Sequence, residues 1–163
     1  WKDGIVTVPS NDPNFSLEYT NVAENESKGI ELSVSTTFKQ WKIDTSASYV
    51  TSKNIISEED YVAFPEWLFS IGIGKKVTEN LSFYMANRVM TNMQENPNSQ
   101  SKKLPTYWQT HLTFDYQFSD TINGRFRISN LFDRDNETPA LLFQENGIPG
   151  EERIFELGVS LSY

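Results

Sequence analysis

Large apolar residues alternate with polar or small ones along most of the chain. The clearest case is the C-terminal stretch, in which five large apolar residues are separated by Glu156, Gly158, Ser160 and Ser162. Because successive side chains of a β-strand point to opposite faces, this pattern predicts a strand with one apolar and one polar face. The apolar residues of this final strand are Phe155, Leu157, Val159, Leu161 and Tyr163.

The same period of two predicts six further strands upstream, so that the seven predicted strands begin at Ser16. A shorter stretch, Trp1–Val8, has the pattern of part of another strand and stops at Pro9. A strand that spans a bilayer needs about 9 to 11 residues, so this stretch is expected to be the end of a strand that begins further upstream. The six strands are predicted at Ser16–Lys39, Trp41–Tyr49, Trp67–Gly74, Leu81–Val89, Trp108–Phe118 and Arg125–Phe132.

Connections between the predicted strands alternate between short turns and long polar loops. The short turns fall near Lys39–Trp41, Val77–Asn80 and Ser119–Thr121. This alternation is typical of an antiparallel up-and-down transmembrane β-barrel, an all-β fold whose polar face lines the lumen and whose apolar face meets lipid. A soluble lipocalin-like barrel has the reverse arrangement. The long loops are Pro9–Phe15, Asn54–Ala63, Thr91–Leu104 and Asp133–Glu152.

Aromatic residues lie where the predicted apolar face meets the connections. Trp41 and Phe118 adjoin short turns, Tyr163 ends the chain, and Trp67 and Trp108 lie near long loops. Paired aromatic girdles are typical of membrane barrels, because an amphipathic ring is stable at the depth of the lipid headgroups.

The composition excludes several classes of protein. A net charge of −8 disfavours nucleic acid as a partner, since phosphates require clustered Lys and Arg. The absence of cysteine excludes disulfides and thiolate metal sites within the chain. No run approaches the roughly 18 consecutive apolar residues of a transmembrane helix. Acidic residues gather in the predicted loops, which favours a solvated loop surface; a sharper hypothesis is that they bridge divalent cations to lipopolysaccharide phosphates.

Two groups of residues carry a family resemblance. The first is Ile128–Asp133, followed by Asn136–Thr138, the glycines at 147 and 150, and a strand that Arg153 begins. The second is Tyr19–Val22 followed by Gly29–Leu32. Together they resemble the C-terminal barrel of TonB-dependent outer-membrane receptors. The sequence departs from the family pattern in its terminal Tyr, where Phe is commoner, and in a longer approach to the last strand.

The resemblance implies a location and partners. Receptors of this family lie in the outer membrane of Gram-negative bacteria, where about 22 strands surround a plug domain. Residues 1–163 would then be a C-terminal segment of the barrel, and the plug would lie outside the chain. The implied function is import of a scarce nutrient such as a ferric siderophore, haem, a cobalamin or a glycan. The implied partners are the rest of the barrel, the plug, the TonB complex through the missing N-terminal part, lipopolysaccharide and other lipids, and the barrel-assembly machinery. The assembly machinery would recognise the Phe155–Tyr163 strand as its signal.

The residues do not predict catalysis, a cofactor or a metal site. His111 is the single histidine and no nucleophile can be placed beside it. Residues 133–137 begin like a calcium loop but lack its Gly at position six and its Glu at position twelve.

The candidate site is the polar face of the predicted barrel. Its charged residues pair with one another or with the plug, or else some arginines attract an anionic ligand. Two alternative functions stay open at this stage. One is a complete eight-stranded membrane barrel that acts as an adhesin or anchor; the other is a soluble barrel in which Ile30, Val34 and Phe38 point inward around an apolar ligand. The candidate lumen residues are Arg88, Gln109, His111, Asp115, Arg125 and Arg127.

Overall fold

The computed structural model describes residues 4–9, 14, 17–23, 25–55, 58, 60, 64–95, 102–140 and 147–162. Within these ranges, no helix is long and apolar enough to cross a membrane. The secondary structure is all β. The strands are β1 Gly4–Pro9, β2 Leu17–Ala23, β3 Asn25–Phe38, β4 Trp41–Asn54, β5 Trp67–Lys76, β6 Leu81–Thr91, β7 Tyr107–Gln117, β8 Ile122–Ser129, β9 Glu137–Thr138, β10 Ile148–Pro149 and β11 Ile154–Leu161.

Seven strands form one antiparallel sheet in the order β11-β8-β7-β6-β5-β4-β3. From β3 to β8, each strand lies beside its neighbour in the sequence, which confirms the predicted up-and-down arrangement. β1 pairs with β2 in a separate hairpin, and β9 pairs with β10 in another. The prediction of a single strand over Ser16–Lys39 is therefore wrong, because this stretch contains β2 and β3, which pair in different sheets. Among the described strands nothing joins the two edges, β3 and β11, so the sheet is open here.

The three predicted short turns and three of the four predicted long loops are present, whereas the loop predicted at Pro9–Phe15 lies largely outside the described residues. Residues 39–40, 77–80 and 118–121 form the short turns, and Lys39 has a positive φ of 55° in the tightest of them. Residues 55–66, 92–106 and 130–153 form the long connections at the other end of the sheet. We call these two ends the short-turn end and the long-loop end.

The outer face of the sheet is apolar and exposed. Ile30, Leu32 and Phe38 on β3 are 69%, 66% and 66% exposed, and Leu157 on β11 is 82% exposed. These residues do not form a core within the chain. The soluble-barrel alternative, which requires Ile30, Val34 and Phe38 to point inward, is therefore not favoured.

Aromatic residues form a girdle at each end of the outer face. At the short-turn end, Phe83 lies between Trp41 and Phe114, with ring centroids 6.1 and 6.5 Å apart. At the long-loop end, Tyr49 and Trp67 lie 4.5 Å apart. Tyr49 lies eight positions after Trp41 on β4, about 27 Å along the strand and about 21 Å along the membrane normal at the usual tilt. This distance is close to the roughly 25 Å of a barrel's apolar band. Trp67, Trp108 and Phe118 lie in the girdles as predicted, whereas Tyr163 is outside the described residues.

The long loops are more structured than the sequence indicates. The hairpin of β9 and β10 interrupts the stretch Asp133–Glu152, for which a single polar loop was expected. In addition, Met93, Leu104 and Tyr107 are buried together at the long-loop end. The Ala140 N–H donates to the carbonyl of Glu95 at 2.6 Å and so links the last two long loops. The buried apolar cluster of the described residues therefore lies in the connection between β6 and β7 and at the start of β7.

Candidate functional site

The inner face of the sheet carries the candidate site. The pairing register aligns Ser33, Ser46, Ser70, Arg88 and Gln109 in one row across β3 to β7. Serine side chains are short, so the wall is recessed beside the long side chain of Arg88. The row borders an open depression of about 490 Å³, which Asp44, Tyr84 and His111 also line.

Most charges on this face pair within the sheet. Arg125 Nε lies 2.7 Å from Asp115 Oδ1, and Arg127 Nε lies 3.6 Å from Glu156 Oε2. Both pairs join neighbouring strands and are solvent-exposed, so each contributes only about 0 to 1 kcal/mol to stability. Their main effect is to neutralise two of the arginines proposed from the sequence.

Arg88 differs from these arginines. No carboxylate among the described residues forms an ion pair with it. Glu31 is on the same face but three strands away, a lateral distance of about 14 Å. His111 lies on the next strand, and its Nδ1 is enclosed without a hydrogen-bond partner in the described structure. Arg88 lines the depression and thus has hydrogen-bonding capacity toward it, whereas His111 Nδ1 is enclosed.

Tyr84 and Asp44 form a second polar cluster, which the sequence analysis missed. The Tyr84 ring covers Gly72, where an added Cβ would lie 2.6 Å from Cζ of the ring. The Tyr84 hydroxyl lies 3.5 Å from Asp44 Oδ2, and Ser35 Oγ donates to Asp44 Oδ1 at 2.6 Å. The available signal was a pair of glycines on the polar face of β5, because glycine in a strand often marks the close approach of another group.

Gln109 links the inner face to the last loop. The Tyr107 hydroxyl donates to Gln109 Oε1 at 2.8 Å, and Gln109 Nε2 donates to Glu151 Oε2 at 3.2 Å. Gln109 is buried. Its predicted position on the polar face is correct, but its amide is already engaged at the long-loop end.

Two buried asparagines fix the base of the last loop, and the sequence analysis did not assign them a role. The side-chain amide of Asn136 accepts from the Trp108 N–H at 2.9 Å and donates to the Trp108 carbonyl at 3.0 Å. Asn130, which is 1% exposed, donates to the carbonyls of Arg134 and Glu151 at 2.9 and 3.0 Å. These residues belong to the segments that carry the family resemblance, so those segments have a structural role in the loop.

The described residues contain no group of three or more His, Cys, Asp or Glu side chains that could hold a metal ion. What the inner face offers is a polar wall with hydroxyl, guanidinium and imidazole groups around an open depression. Such groups bind polar or anionic partners through hydrogen bonds.

Residues 1–131 match the family model for the TonB dependent receptor-like β-barrel. The chain belongs to this family. Receptors of this family are outer-membrane proteins, which confirms the predicted location; the long-loop end is thus extracellular and the short-turn end periplasmic. A comparison with curated proteins gave no match.

Solved structures of similar fold are receptors and transporters. The copper transporter OprC has a TM-score of 0.78 and 22% identity, over 99% of this chain and 27% of that one. The ferripyoverdine receptor of the Pseudomonas aeruginosa outer membrane has a TM-score of 0.75 and 17% identity, over 98% of this chain and 23% of that one. The siderophore receptor PirA from Acinetobacter baumannii has a TM-score of 0.69 and 18% identity, over 98% and 26%.

The chain therefore spans about a quarter of each of these structures. They confirm the antiparallel barrel fold that the strand pattern predicted. Because the matching barrels are much longer, the alternative of a complete eight-stranded barrel is not favoured.

Proposed function

We propose that this chain forms part of the wall and extracellular loops of a TonB-dependent transporter that imports a scarce nutrient. The observation that carries the proposal is the distribution of polarity. The inner face of the sheet is polar and borders a depression of about 490 Å³, whereas the outer face is apolar and exposed. A lipid-embedded wall around a water-filled or plugged lumen requires this distribution.

We propose further that residues 1–163 are a segment of a larger barrel. The plug domain and the segment that contacts TonB would belong to other parts of the same protein. The comparison structures support this arrangement, since this chain covers 27% of OprC and 23% of the ferripyoverdine receptor. The final strand, Phe155–Tyr163, would also serve as the signal for the barrel-assembly machinery.

The nutrient classes are a ferric siderophore, haem, a cobalamin or a glycan, and a metal chelate is the first candidate to test. Proteins of similar structure include a copper transporter, a ferripyoverdine receptor and a ferric-catecholate import receptor. On the inner face, Arg88 would contact an anionic ligand or a carboxylate of the plug, because no carboxylate of the described residues forms an ion pair with it. Arg125 and Arg127, which already pair with Asp115 and Glu156, would have a structural role.

The test is uptake by the full-length receptor in its own outer membrane. Cells that carry or lack TonB are offered labelled ferric siderophores, haem, cobalamin and oligosaccharides. We expect TonB-dependent uptake of one class. A charge-assisted hydrogen bond contributes about 1.5 to 3 kcal/mol, so R88Q should lower uptake roughly 10- to 100-fold at limiting ligand.

A matched control separates this effect from a general loss of charge. K28Q removes an exposed cation that pairs with Glu26 at 3.0 Å on the outer face. We expect K28Q to leave uptake unchanged, and both variants to reach the membrane at wild-type levels. Uptake that is equal in the R88Q and K28Q variants would contradict the role of Arg88, and absence of TonB-dependent uptake for every class would contradict the transport function.

A further inference from the structure

Asn87 is a polar residue on the apolar outer face of the sheet. It precedes Arg88, which faces the depression on the inner face, so the alternation of the strand directs Asn87 to the opposite side. It pairs with Ile71 on β5 and with Thr110 on β7. Ile71 is 42% exposed, and Asn87 itself is partly exposed. Asn87 therefore faces the lipid beside Ile71.

Asn87 lies near the middle of the apolar band. It comes four positions after Phe83 of the girdle at the short-turn end. It comes four positions before Thr91, which pairs with Trp67 of the girdle at the long-loop end. Four residues of a tilted strand rise about 10 Å along the membrane normal, and the apolar band is roughly 25 Å tall. At this depth the lipid offers acyl chains and no hydrogen-bonding group.

The amide of Asn87 is only partly satisfied by the described residues. Thr110 Oγ1 donates to Asn87 Oδ1 at 2.6 Å, and Thr110 is 1% exposed. The amide nitrogen Nδ2 of Asn87 donates no hydrogen bond to a described residue. A donor without a partner is unfavourable in hydrocarbon, and an apolar side chain at this position would avoid the cost. The free N–H groups thus indicate a contact with another polar group.

Other parts of the same receptor do not reach this amide. A plug lies in the lumen, on the opposite face of the sheet. Further strands of the barrel pair at the open edges β3 and β11. Each edge is three strands from β6, a lateral distance of about 14 Å. The polar group that meets Asn87 therefore belongs to another molecule in the membrane.

We propose that Asn87 is the centre of a contact between two copies of this receptor. An amide carries both donors and an acceptor, and Oδ1 can accept a second hydrogen bond besides that from Thr110. Two Asn87 side chains that face each other can therefore exchange two hydrogen bonds. Copies inserted in the same direction are related by a twofold axis along the membrane normal, which brings both Asn87 residues to the same depth. Asparagine side chains link neighbouring transmembrane helices by the same kind of bond.

The first test is cross-linking in native outer membranes. N87C and V34C are introduced separately into the full-length receptor, with any native cysteine replaced, and the membranes are treated with a membrane-permeable oxidant. Val34 is the matched control, because it is a lipid-facing residue of the same row, three strands from Asn87. A disulfide requires Cα atoms within about 7 Å, so we expect at least about fivefold more receptor dimer from N87C than from V34C.

The second test measures the contribution of the amide. Energy transfer is recorded between donor-labelled and acceptor-labelled full-length receptors in lipid vesicles. N87L should weaken self-association roughly tenfold or more, because two hydrogen bonds within the membrane are lost. T45V is the control, since it removes a hydroxyl from an exposed residue two strands away on the same face. It should leave association unchanged, and both variants should remain folded by heat modifiability.

Three results would overturn the proposal. The first is an equal yield of dimer from N87C and V34C. The second is cross-linking of N87C to a different protein without receptor dimer, which would assign the surface to another partner. The third is equal association of the N87L and T45V receptors. None of these measurements depends on uptake, so they do not test the transport function.

Discussion

A methyl group at Gly72 should destabilise the barrel through its clash with Tyr84. The Cβ of an alanine at this position would lie 2.6 Å from Cζ of the Tyr84 ring. The ring must then leave the surface of β5, where it also contacts Gly74. Its hydroxyl would leave the carboxylate of Asp44.

Two opposing effects determine how much G72A changes the free energy of unfolding. Overpacking costs about 1 to 3 kcal/mol. Replacing a strand glycine by alanine returns about 0.5 to 1 kcal/mol of conformational entropy. We therefore expect G72A to lower the free energy of unfolding by about 0.5 to 2 kcal/mol.

Two comparisons isolate the clash. G158A is the control on β11, where an added Cβ meets no atom within 4 Å, and it should be neutral or stabilising by up to about 1 kcal/mol. In a Y84A background the ring is absent, so G72A should no longer destabilise. The double-mutant cycle should thus give a coupling energy of about 1 to 3 kcal/mol between the two positions.

The assay is guanidinium unfolding of the full-length receptor in lipid vesicles, with the midpoint and slope compared among variants. Additive effects of G72A and Y84A would refute the reasoning, since they would mean that the ring does not rest on Gly72. So would an equal loss of stability in G72A and G158A.

Two further predictions concern the last loop and the last strand. N136A should leave the N–H and carbonyl of Trp108 without partners and lower the free energy of local opening there by about 2 kcal/mol. Hydrogen exchange of the Trp108 amide should therefore become roughly 30-fold faster. The exposed control N80A should not change this exchange rate. Unchanged exchange in N136A would contradict the assigned role. Deletion of Tyr163 should reduce the amount of heat-modifiable folded barrel in outer membranes, and unchanged levels would exclude this residue from the assembly signal.

The strand pattern predicted the sheet well because the two faces have opposite environments. Each of the seven predicted strands carries large apolar residues on alternate positions, so the direction of the side chains could be predicted. The strand limits were less predictable, since the expected strand Ser16–Lys39 contains both β2 and β3. The recess beside Arg88 could not be predicted, because the serines that form it lie on different strands. Only the register between the strands places them in one row with Arg88. The register between two strands depends on contacts between them, and the pattern of a single strand does not determine it.

The loops were less predictable for a different physical reason. Met93 and Leu104 stand in polar sequence without a period, yet they are buried together with Tyr107 because the two ends of their loop meet at the start of β7. Asn130 and Asn136 were interpreted only as parts of a resemblance. A buried asparagine whose amide bonds distant backbone groups has the same sequence signature as one in a solvated turn.

The sequence also could not decide whether the charges of the inner face pair with one another or with the plug, or whether some arginines bind an anionic ligand. Ion pairs across strands join residues far apart in sequence, such as Arg127 and Glu156. Only the register brings these side chains together. The same register separates Arg88 from Glu31.

The most direct test of the account is the orientation of the two faces of β5 in the membrane. The chain contains no cysteine, so single cysteines can be introduced at residues 68–73, with any cysteine elsewhere in the receptor replaced. Each is spin-labelled in the full-length receptor in lipid vesicles, and its accessibility to oxygen and to a water-soluble nickel chelate is compared. We expect a period of two, with positions 69, 71 and 73 accessible to oxygen and positions 68, 70 and 72 accessible to the chelate or shielded by the plug. Chelate access at 71 with oxygen access at 70 would contradict an apolar, lipid-facing outer wall around a polar lumen.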